Sequence, residues 1–206
     1  MDIDQVQQSL KLRAREAVEF ARKLGVEQAE AGVSYNQGLT TTVRLGELES
    51  VERQRDHGFA VTVYVKGRKG TASTSECSKT AIEEAVHKAI SIASFTVEDE
   101  YSGLADAELM ATKLPDLSLF HPWDIGVEQA ETIACEAERA AQGADARIKN
   151  SEGASVSTGS GIHVYANSHG FCDGYPTSSH SVSCGAVAEQ NGSLERDYWY
   201  TAARDP

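Results

Sequence analysis

Apolar residues recur at three- and four-residue spacing in three stretches of the chain. Val6, Leu10, Ala14, Ala17, Val18, Ala21 and Leu24 fall on one helical face, with Asp4 placed to cap its start and Gly25 to stop it. Ala81, Ile82, Ala85, Val86, Ala89, Ile90 and Ala93 share a second face, behind the N-cap candidate Ser78. Val127, Ala130, Ile133, Ala134, Ala137 and Ala141 share a third, which ends at Gly143.

Between the helices the period drops to two. Ala31, Val33 and Tyr35 alternate with polar or small residues, Thr40 to Leu45 is β-branched, and Leu48 to Arg55 follows the turn Gly46-Glu47. Asp56-His57-Gly58 predicts a turn into Phe59, Val61, Val63 and Val65, the cleanest alternating face in the chain. Gly67 to Gly70 closes it, and Thr71 to Thr74 returns. A second β-rich region runs through Ala154/Val156, Ile162/Val164/Ala166, Phe171 to Thr177, Val182/Cys184/Ala186 and Tyr198/Tyr200. Its predicted turns are Gly159-Ser160-Gly161, Ser168-His169-Gly170 and Asn191-Gly192, where Gly and Asn tolerate positive φ.

Helices and antiparallel meanders in this order predict an α+β fold of two helix-plus-antiparallel-β-meander halves, the helices packed on one face of the sheets. The expected organisation is a first half over 1–95, an irregular acidic and Pro-containing crossing segment over 96–124, and a second half over 125–206, forming one compact N-terminal domain of a longer protein. The close of the chain at Asp205-Pro206, directly after a strand, is compatible with such a piece.

A net charge of −12 over 206 residues argues against a polyanionic partner. The small basic groups Lys11/Arg13/Arg15 and Lys66/Arg68/Lys69 sit beside acidic neighbours and read as solvated faces. No apolar run approaches the roughly 20 residues that cross a bilayer, so neither nucleic acid nor membrane is expected as a partner. Cys77, Cys135, Cys172 and Cys184 show no close pairing, which fits free thiols and a cytoplasmic location.

Candidate chemistry is sparse. His163, His169, Cys172, His180 and Cys184 form the richest group of potential zinc ligands. On a strand, however, His180 and Cys184 would stand about 13 Å apart. Core or turn roles for these residues are preferred, and no metal ligand is assigned. Asp56-His57 and Ser179-His180 are adjacent titratable or nucleophilic pairs, but neighbours on an extended chain face opposite ways. The run Ser157 to Gly161 leads into a strand and lacks the helix N-terminus that cradles phosphate. HExxH, HExxxH, GxSxG and Walker patterns are all missing. No catalytic residue is assigned, and the peptide-binding residues stay undefined. Tyr198, Trp199 and Tyr200 alternate in direction, so one side is expected in the core and the other at solvent or a partner.

Several segments together resemble the N-terminal half of the TldD/PmbA family. They are Gly46-Glu47-Leu48-Glu49-Ser50-Val51-Glu52, the strand ending at Gly67, Ala72-Ser73-Thr74-Ser75, Ala166-Asn167-Ser168-x-Gly170-Phe171, and Glu195-Arg196-Asp197-Tyr198 with Ala203-Arg204. The spacing looks more like the PmbA (TldE) branch than the TldD branch. The resemblance implies a subunit without its own metal site that pairs with a TldD-like subunit carrying a zinc-binding HExxxH helix. The pair would enclose a cavity in which unfolded peptides are cleaved, as in peptide maturation and antitoxin degradation. It further implies a hetero- or homodimer when full length, no cofactor in this chain, and zinc in the TldD-type partner. The alternatives are a free-standing, non-enzymatic peptide-binding or scaffold protein, and a metalloenzyme built on the His/Cys group.

Overall fold

The computed structural model describes residues 2–206. Its elements in chain order are helix α1 (Ile3–Lys23), strands β1 (Gln28–Arg44), β2 (Glu47–Val65) and β3 (Arg68–Thr74), helix α2 (Lys79–Phe95), helix α3 (Val127–Gly143), and strands β4 (Ile148–Asn167), β5 (Cys172–Gln190) and β6 (Ser193–Ala203). A single 3-10 turn, Ala107–Leu109, interrupts the crossing segment. The fold is α+β. The six strands form one antiparallel sheet in the order β3-β2-β1-β4-β5-β6, where two separate meanders were expected.

The difference comes from strand length. Asp56-His57-Gly58 and Gly159-Ser160-Gly161 lie inside β2 and β4 and do not turn the chain. Glycine serves close approach in β2, where a Cβ on Gly58 would sit 2.7 Å from Ser34 Oγ, whereas one on Gly159 would make only ordinary contact, 3.4 Å from the Gln37 carbonyl. Three reversals are two-residue hairpins with both φ values positive, Leu45-Gly46, Lys66-Gly67 and Asn191-Gly192, and the fourth, between β4 and β5, is the expected turn at Ser168-His169-Gly170. The two-residue form is the pattern whose twist matches antiparallel strands.

Helix ends follow local chemistry. Asp2, not Asp4, caps α1, its carboxylate accepting from the Asp4 and Gln5 N–H groups at 3.1 and 3.3 Å. At the other end Gly25 takes φ +86°. Its N–H donates to Arg22 O, and Val26 N–H reaches back to Ala21 O, a Schellman closure. Ser78 caps α2 through the Ala81 N–H.

The chain gathers into two compact units, the first of residues up to Tyr35, Asp56–Leu117 and Gly161–Pro176, the second of Asn36–Arg55, Ser118–Ser160 and Thr177–Pro206. Strands β1, β2, β4 and β5 contribute residues to both. In the first unit, Ala29, Ala31 and Val33 of β1, Phe59, Val61 and Val63 of β2, and Ile162, Val164 and Ala166 of β4 pack against Leu10, Ala14 and Ala17 of α1 and Ile82, Val86 and Ala89 of α2. The small residues let helix and sheet approach closely. A Cβ on Gly70 of β3 would collide with the backbone of Ala89 and stand 2.6 Å from the Ala93 nitrogen. In the second unit a smaller core joins Val43, Ala154 and Val156 to Ala130 and Ala134 of α3 and to Ile125, with Trp123, Val182 and Cys184 partly buried against it.

Candidate functional site

The potential zinc ligands do not converge. No group of three or more His, Cys, Asp or Glu side chains among the described residues is placed to hold a metal ion. Several of their side-chain atoms are engaged elsewhere. His169 Nε2 lies 3.1 Å from Ala105 O, and Cys172 Sγ 3.4 Å from Lys11 O. His163 is exposed on β4. Cys184 packs beside the core of the second unit, where burial, then the nearby Glu138 charge, pushes its thiol pKa up. A thiol held protonated is a poor zinc ligand. The arrangement does not fit a zinc centre built on the His/Cys group.

His180 is a structural residue. It is 5% exposed, with Nδ1 2.8 Å from Thr158 Oγ1 and Nε2 2.8 Å from His121 O. A carbonyl can only accept, so Nε2 carries a proton, and in the neutral ring Nδ1 then accepts from the threonine hydroxyl. Trp123 meets the ring edge-to-face, with centroids 5.6 Å apart. Two residues earlier, buried Ser178 Oγ accepts from His121 N–H at 2.8 Å and donates to Arg204 O at 2.8 Å. These bonds fasten residues 119–123 to β5. The Ser179-His180 adjacency makes no catalytic pair, because Ser179 is exposed while His180 is buried. His57 instead packs on Tyr35, with ring centroids 4.9 Å apart.

Two carboxylate clusters escaped the sequence reading. In the first unit Glu30 of β1 receives the Tyr64 hydroxyl from β2 at 2.9 Å and the Tyr165 hydroxyl from β4 at 2.8 Å. Burial, then the bond to Glu30, pushes both phenols up to about 12. In the second unit Glu138 of α3 is 1% exposed and grips the β1–β2 hairpin, accepting from Leu45 N–H at 2.8 Å and Gly46 N–H at 2.7 Å. Burial raises its pKa, but bonds from Ser151, Gly46 and Leu45 and the Arg44 charge outweigh that, so the net shift is downward. The signal was available: an acidic residue on the apolar face of α3. In both clusters each carboxylate oxygen already accepts a hydrogen bond.

What remains open is the end of the sheet at β6. All eleven of its residues are exposed. Tyr198, Trp199 and Tyr200 are 69%, 82% and 60% exposed, so the expected burial of one side is not found. The reason is reach: α3 covers β1 and β4 and only brushes Val182 and Cys184 of β5. Tyr198 and Tyr200 pair with Gly185 and Ser183, and Trp199 pairs with Cys184, so the aromatics flank both sides of the strand. A recess of about 630 Å³ adjoins the β5–β6 hairpin, lined by Arg147, Gln190, Ser193 and Glu195 among others. Its Arg147 is already held by Asp145 at 2.8 and 2.9 Å and by Gln190 at 3.1 Å.

Two consecutive family models match the sequence: PmbA/TldA metallopeptidase domain 1 over residues 29–93, and the PmbA/TldA metallopeptidase central domain over residues 120–205. The chain belongs to the PmbA/TldD family. It is 44% identical over 199 residues to a metalloprotease PmbA homolog of Haemophilus influenzae, covering 97% of this chain and 44% of that protein. It is 42% identical over 205 residues to metalloprotease PmbA of Escherichia coli O157:H7, covering 98% of this chain and 45% of that one. The chain thus spans somewhat under half the length of these curated relatives. Both are PmbA proteins, the branch that the sequence favoured. Among solved structures, a Bacteroides thetaiotaomicron protein superposes with a TM-score of 0.85 at 20% identity, covering 95% of this chain and 45% of its own. TldE from Thermococcus kodakarensis gives 0.76 at 15%, covering 94% and 43%. These two likenesses establish the shared fold. No helix of the described residues is long and apolar enough to cross a membrane.

Proposed function

We propose that this chain is the domain 1 and central-domain part of a PmbA/TldE-type subunit that works in the cytoplasm with a TldD-type partner to cleave unfolded peptides. In this reading the chain holds no metal of its own, and the partner supplies the zinc. One observation carries the proposal: identity above 40% to two PmbA metalloproteases across almost the entire chain. The engagement of His169, Cys172 and His180 with protein carbonyls and hydroxyls supports placing the ion elsewhere. Four free thiols are consistent with a reducing compartment.

The test is reconstitution. The protein that carries this chain is mixed with a TldD-type partner, zinc and an unfolded polypeptide such as casein. Cleavage is expected with both subunits and with neither alone. No cleavage from the complete mixture would end the protease reading. The alternative, a free-standing peptide-binding protein, is favoured by the bare aromatic strand β6. It predicts peptide binding by this chain with no effect on any partner's activity.

A further inference from the structure

We draw no further inference here: the strongest candidate, the recess of about 250 Å³ between α1 and the β4–β5 turn, carries nothing, because its Arg15 and Arg22 are exposed with Glu19 between them, its Asn167 side chain is spent on holding the turn, and nothing in the structure shows what ligand it would take.

Discussion

At the scale of single residues, the carboxylate of Glu138 has the clearest consequence. Leu45 sits at φ +53°, a conformation that costs a non-glycine residue about 1 kcal/mol or more. Glu138 offsets that strain by accepting from the two N–H groups of the hairpin. Glu138→Ala strands both donors and is expected to lower stability by about 3 kcal/mol at neutral pH, measured by urea denaturation. The pH dependence has a definite sign. The folded-state pKa lies below the ordinary glutamate range, so the carboxylate's contribution is complete above that range and is lost as pH falls through the folded value. The gap between wild type and Glu138→Ala should therefore narrow steadily on acidification. A constant gap across that range would show that the charge is not what holds the turn.

At the scale of elements, helix–sheet contact in the first unit depends on how near the backbones come. Gly70→Ala places a methyl against the α2 backbone at Ala89 and Ala93, where no side chain can yield. It is expected to cost roughly 2–3 kcal/mol in chemical denaturation, against a few tenths for the exposed Gly46-side change Leu48→Thr. Near-equal costs would contradict the close packing. The three helices were legible because each has an apolar face at helical spacing, and Ser78 and Gly25 were legible because capping chemistry is local. The Asn191-Gly192 hairpin was legible for the same reason. The in-strand glycines were not, because Gly58 and Gly159 look like turn residues until the opposing Ser34 and Gln37 are known. Misplacing them divided long strands and made one sheet look like two meanders. The asymmetry of the candidate site was hidden too, since alternation at Tyr198–Tyr200 says nothing about how far α3 reaches.

At the scale of the whole molecule, the chain is an acidic α+β member of the PmbA/TldD family. Its polar clusters at Glu30, Glu138 and His180 are satisfied within the fold, and its uncommitted surface is the aromatic edge of β6. The proposed function assigns the metal to the partner, so its central claim concerns where the metal sits. The deciding measurement is zinc stoichiometry, subunit by subunit, in an active two-subunit complex separated after assembly without added chelator. The account predicts that the zinc stays with the TldD-type subunit and that the protein carrying this chain retains none. Stoichiometric zinc held by this chain, together with activity that does not need the partner, would contradict it.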